Sequence, residues 1–285
     1  MGSRANIVVM QNGEYDLFYC HWCASSLPSD LFCGPVHAVA FARTQLNARK
    51  LGSEIPMRRA DQSPIPDSQP QDLDAIGWLD DTWSEGGAVI DLDRQVLVLY
   101  GGENLLWYIP LRRLYLQLLQ EVWKGWELRW ANRGILDMAD YVGLPKNRVI
   151  TGESHIDLVP DFASCVGIHP FDSIGSILLE GDTLRLFPLR GPVEFKLAAG
   201  PALVDSMRNH AGYAHLPLAE WGTPFPQAGF HVDVSKRRVE YWTASHAFDP
   251  ETYVTPLWPG WHVMWLQDNY EAHLERLGDR VSLPT

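Results

Sequence analysis

Two stretches of the chain carry the same order of apolar and polar positions. Residues 123–143 read WKGWELRWANRGILDMADYVG, and residues 258–278 read WPGWHVMWLQDNYEAHLERLG. Trp126, Leu128 and Trp130 alternate with Glu127 and Arg129, the period of a strand with one apolar face. Trp261, Val263 and Trp265 repeat that face. A helical pattern follows each strand. Ile135, Met138, Ala139 and Val142 stand at i, i+3, i+4 and i+7, and Tyr270, His273, Leu274 and Leu277 take the same places. Gly143 and Gly278 fall where a helix ends in a left-handed residue, and Pro145 adds a stop signal to the first. Trp123, Gly125, Trp126, Trp130 and Gly143 meet Trp258, Gly260, Trp261, Trp265 and Gly278 without a gap. Tryptophan is rare, so that register is hard to reach by chance.

The match extends upstream in weaker form. Residues 87–98 (GAVIDLDRQVLV) and 229–241 (GFHVDVSKRRVEY) each predict a β-hairpin, with one residue inserted in the second and Asp91 opposite Asp233. GEYDLFY (13–19) resembles GDTLRLF (181–187), each after an apolar strand. FCGPVHAVAFAR (32–43) resembles AAGPALVDSMRN (198–209), and in both a Gly-Pro opens a helix with Pro at its first position. The pattern predicts an α+β protein of two diverged copies of a mainly antiparallel sheet-plus-helices unit. Its helices are expected on one sheet face, and the copies are expected to pack with pseudo-twofold symmetry. The first copy covers 1–145, a packed connector 146–171 and the second copy 172–285. The Pro-, Ser- and Asp-rich stretch 51–75 reads as a mobile surface loop, and a helix is expected from about Leu111.

Composition narrows the function classes. A chain of 285 residues, 46% apolar and 20% charged, can bury a core of real size. Its formal charge of −12 argues against a nucleic-acid binder that tracks phosphates. No stretch approaches the roughly 20 apolar residues of a membrane span. The opening MGSRANIVVM lacks a secretory pattern, and Asn6 stands where a myristoylation motif needs Ser or Thr. The expected location is therefore cytoplasmic, and the four cysteines read as free thiols. Twelve Trp, ten Tyr and ten Phe supply core residues first and an aromatic contact surface second.

The candidate chemistry is spread along the chain. Cys20, Cys23, Cys33 and His37 have the number and spacing of a zinc set. Cys20, Cys33 and His37 align with Pro188, Ala199 and Leu203, so the fold needs no metal; no cofactor is predicted, and zinc is the lesser reading. Cys20 and Cys23 also have redox-pair spacing, without the helix opening such a pair uses. GESHI (152–156) lacks the second Gly of a nucleophile elbow. Polar features common to both copies, such as Asp91 and Asp233, read as architectural, and features of one copy mark where a site could arise. The binding candidates are Tyr19, Trp22, Asn104 and Glu127 in the first copy and His231 and His262 in the second, with His210 and His215 beside them. His21, Glu103 and Arg129 are the acid–base candidates. The leading expectation is an intracellular recognition protein, inhibitor- or immunity-like, using an aromatic-rich acidic surface. The alternative is a small-molecule enzyme with a His/Glu/Arg site in the cleft between the copies. The partner is a protein or a small molecule, not nucleic acid or membrane.

Overall fold

The structure is a computed structural model that describes residues 3–48, 78–79, 84–102, 108–144, 161–167, 170–222, 225–244 and 250–283. The loop 51–75, Glu103, Asn104, GESHI and most of the connector lie outside the described residues. The described chain forms two compact units, one from 3–144 and one from 161–283.

The first unit runs β1 (Ala5–Gln11), β2 (Glu14–Cys20), α1 (Leu27–Phe32), α2 (Pro35–Thr44), β3 (Leu46–Asn47), β4 (Gly86–Asp91), β5 (Val96–Gly101), α3 (Ile109–Val122), β6 (Glu127–Trp130) and α4 (Ile135–Tyr141). Its sheet has the order β3-β2-β1-β4-β5-β6. The second unit runs α5 (Phe162–Cys165), β7 (Ser173–Leu178), β8 (Leu184–Leu189), α6 (Val193–Leu197), α7 (Ala202–Asn209), β9 (Leu216–Pro217), β10 (Ala228–Asp233), β11 (Arg238–Thr243), α8 (Pro250–Val254), β12 (His262–Trp265), α9 (Tyr270–Leu277) and β13 (Val281–Ser282). Its main sheet has the order β12-β11-β10-β7-β8. The class is α+β, with two sheets of similar size. Among the described residues no helix is long and apolar enough to cross a membrane.

Both sheets are mixed, with parallel pairs standing beside the expected antiparallel ones. β1 pairs antiparallel with β2 and parallel with β4, while β5 pairs antiparallel with β4 and parallel with β6. β7 and β11 repeat those relations with β8, β10 and β12. The parallel pairs arise because the connections into β4, β6, β10 and β12 cross over a sheet face through helices.

Helices cover both faces of the first sheet, not one. Ile7, Val9, Ala88, Ile90, Leu97 and Leu99 pack under α1, α2 and α3. The alternate residues Val8, Leu17, Val89, Val98 and Tyr100 pack under α4. That is why every residue of β4 and β5 is buried. Phe187, Leu189, Phe230, Val232, Val239 and Tyr241 fill the matching face of the second sheet under α6 and α7.

The tryptophan segments are anchored alike. The buried Trp123 indole N–H donates to Leu31 O at 2.8 Å, and that of Trp258 donates to Leu197 O at 2.8 Å. Each meets the next tryptophan edge-on, at 4.8 Å for Trp126 and 5.2 Å for Trp261. Between them Gly125 and Gly260 take positive φ of 80° and 76°. The hairpin turns also agree. Asp91 Oδ1 accepts from Asp93 N and Arg94 N, and Asp233 Oδ1 accepts from Ser235 Oγ and Lys236 N.

Register corrects three details. Asp91 pairs with Val96 and Asp233 with Arg238, so the second hairpin has no inserted residue. The extra residue lies between β7 and β8: Met10 pairs with Tyr15, whereas Leu178 pairs with Leu184. That shift puts Cys20 opposite Ala5 and Leu189 opposite Ser173, so Leu189, not Pro188, occupies the place of Cys20. Pro201 precedes α7 rather than opening it, and α3 begins at Ile109.

Candidate functional site

The ladders assign each residue of one sheet a topological counterpart in the other. Met10 pairs with Asp91 and Leu178 with Asp233. Counting back, Val8 corresponds to Ser176 and Val89 to His231. Val98 corresponds to Glu240, and Tyr100 to Trp242. On the covering helix Met138 corresponds to His273. In the first unit these positions are filled by apolar groups and one tyrosine. In the second they form a polar array.

Ser176 Oγ lies at the centre of that array, 2.7 Å from His273 Nε2 and 2.9 Å from His231 Nδ1. Trp242 Nε1 lies 3.1 Å from His273 Nδ1. All four residues are buried. An indole N–H only donates, so His273 Nδ1 is the acceptor and its proton sits on Nε2. Nε2–H then donates to Ser176 Oγ. We assign the serine proton to His231 Nδ1, which is closer than the other acceptor, Phe230 O at 3.3 Å. His231 is left with its own proton on Nε2, the nitrogen that does not touch Ser176. Burial pushes His231 down to about 4, against the opposing pull of Glu240 and Asp233. Burial, reinforced by His231, pushes His273 down to about 3. Both rings are neutral at pH 7.

His231 lines a cleft of about 230 Å³ in the second unit. Asp233, Lys236, Arg238 and Glu240 form one wall, and Arg276 and Arg280 reach in from the end of α9 and the turn after it. Glu240, buried at the base, accepts from Arg238 and, at 3.2 Å, from Arg276 Nε. Asp233 lies 3.0 Å from Lys236 Nζ. Burial alone would raise the Asp233 carboxyl, but hydrogen bonds from Ser235 and Lys236 hold it below its ordinary value. The Arg238 Nε–H has no hydrogen-bond partner among the described residues. Arg280 has no ion-pair partner there.

The sequence-derived candidates fall differently. Tyr19 OH bonds His21 Nδ1 at 2.6 Å, and Trp22, 65% exposed, stands edge-on to His21. Glu127 and Arg129 form a two-bond pair on the exposed strand β6, at 2.6 and 2.9 Å. β2, which leads into His21, and β6 are separated by three strands, roughly 19 Å at about 4.8 Å per strand. His21 and Arg129 therefore do not converge, and Glu103 lies outside the described residues. β11 stands between His231 and His262, so those two do not pair either. His210 Nδ1 accepts from Gly212 N, and His215 Nδ1 contacts Arg280 O.

Cys20 and Cys23 are buried, whereas Cys33 is exposed and its Sγ donates to Ser29 O. His37 sits 3.9 Å from Asp30. Burial, with Cys20 alongside, pushes the Cys23 thiol well up, away from the thiolate that zinc or redox chemistry uses. Among the described residues no three His, Cys, Asp or Glu side chains converge as a metal-binding group.

Sequence reading missed Ser176, His273, Arg238, Glu240, Arg276 and Arg280. One signal was present: His273 stands on a helical stripe that is otherwise apolar or aromatic, where Met138 stands in the first unit. No protein family, curated protein or solved structure matches the chain.

Proposed function

We propose that the chain is a recognition protein built from two diverged copies of one α+β unit, and that the second copy carries its binding site. The reading rests on one observation: the face that is packed with Val8, Val89, Val98 and Met138 in the first unit holds Ser176, His231, Glu240 and His273 in the second. Burying such groups costs free energy even when they are hydrogen-bonded, and apolar residues satisfy the same topology. A polar face that the architecture does not require is accounted for by a ligand. The common strand order, the two indole anchors and the two Asp turns support common descent of the units.

Binding is favoured over catalysis by the protonation of the array. Ser176 is fully buried and cannot meet a substrate. His231, at about 4, is poorly matched to proton transfer near neutrality but well suited to a fixed donor. The test is affinity capture from native lysate with the wild-type chain and with Arg276→Met/Arg280→Met. The reading expects a stoichiometric partner or small molecule retained by the first and lost by the second. Equal retention by both removes the cleft from the account, and turnover of the captured molecule that depends on His231 replaces recognition by catalysis.

A further inference from the structure

The charge of the second unit's cleft specifies a ligand more closely, a step that rests on that cleft being the binding site. We infer that it takes a doubly charged, phosphate-type group. Among the described residues that line it, Lys236, Arg238, Arg276 and Arg280 face only Asp233 and Glu240, a surplus of two positive charges in a chain of formal charge −12. A surplus of that size is matched by a dianion. Glu240 holds two guanidinium groups by itself, at Arg238 and Arg276, and cannot saturate ten N–H donors. Arg280 has no counter-ion among the described residues, and the Arg238 Nε–H has no acceptor there.

The directions of approach separate phosphate from carboxylate. Lys236 comes from the β10–β11 turn, Arg238 from β11, Arg276 from the last turn of α9 and Arg280 from the turn beyond. Donors reaching in from several elements exceed what a planar two-oxygen group can accept, whereas three tetrahedrally disposed oxygens accept them. His231 lines the cleft as a neutral ring and leaves that charge surplus unchanged. The volume of about 230 Å³ is several times the roughly 30 Å³ share of one water, enough for the phosphate-type group with part of its carrier. Asp233 and Glu240 hold the cations in place and repel a ligand that lacks the charge to displace them.

The experiment follows backbone amide resonances of the full chain during titration with inorganic phosphate, acetate or succinate at constant ionic strength. Saturable phosphate shifts confined to residues 231–240 and 276–280 are expected, weakened at least about tenfold in Arg280→Met and unchanged in Arg43→Met, a cation of the first unit. Arg280 lies on an exposed turn, so its loss leaves the fold intact. Shifts with acetate or succinate but none with phosphate would overturn the ligand class and leave the cleft as a binding site. No saturable shift with any anion would overturn the class and weigh against the cleft itself. Equal weakening in both variants would mean a general charge effect and overturn the inference.

Discussion

The sheet face under α4 and the sheet face under α9 have the same strand neighbours and opposite chemistry. Met138 and Tyr100 crowd Gly87 in the first unit, so a Cβ there would come within 2.5 Å of Met138 Sδ. His273 and Trp242 crowd Gly229 in the second, and a Cβ there would come within 2.6 Å of Trp242 Nε1. The steric frame is preserved while its contents change from apolar to hydrogen-bonded. This difference teaches where to look for function: the opposite faces and the tryptophan anchors agree between units and belong to the architecture.

The strongest attempt to break the comparison removes the anchors. Trp123→Ala and Trp258→Ala each delete a fully buried indole and its hydrogen bond to a buried carbonyl, at Leu31 or Leu197. Each should cost about 3–5 kcal/mol and unfold its own unit first, read by denaturant titration with hydrogen exchange. One variant behaving like the wild type would end the equivalence.

The next attempt gives the second unit the contents of the first, through Ser176→Val/His231→Val/His273→Met. In the unfolded chain both histidines titrate near 6.5, and in the fold at about 4 and about 3. Protonation therefore favours the unfolded chain, and their contribution is full above about pH 6.5 and declines as pH falls toward 4. Glu194 opposes this: burial raises it from 4.5 to about 7, so its contribution is full below 4.5 and is lost as pH rises through 7. Two histidines outweigh one carboxyl, so the wild-type second unit should lose roughly 1–3 kcal/mol between pH 7 and 4.5, whereas the triple variant, which keeps Glu194 and lacks both histidines, should gain stability over the same range. Thermal melts across that range measure it, and parallel pH profiles would contradict the assignment.

A smaller effect tests the turns. Asp91→Ala and Asp233→Ala each remove two turn hydrogen bonds and one further contact, from Tyr141 OH or Lys236 Nζ, and should cost about 1 kcal/mol apiece, visible as matched shifts in denaturation midpoint. The smallest belongs to Arg129→Met. Its pair with Glu127 is exposed, and neither stability nor ligand binding should change measurably.

Packing decides which features are legible in the sequence. Trp123 and Trp258 need a cavity and an acceptor in fixed places, so their spacing from Gly125 and Gly260 is kept and can be read. The additional residue between β7 and β8 sits in an exposed turn, where no apolar pattern marks it, and the sequence match places it in the wrong hairpin. The mixed sheets are hidden because alternation does not report strand direction. The array escapes because Ser176, His231 and His273 come from β7, β10 and α9, and only the parallel β7–β10 ladder brings them together. His231 stands out in the sequence as a candidate, but nothing there joins it to Ser176.

The most direct test of the polar face is the protonation state of its two histidines, read from long-range ¹⁵N correlations of imidazole-labelled protein. The account predicts that His273 and His231 both carry their proton on Nε2 and stay neutral from pH 7 to below pH 5. Either ring titrating near 6.5, or carrying its proton on Nδ1, would contradict it.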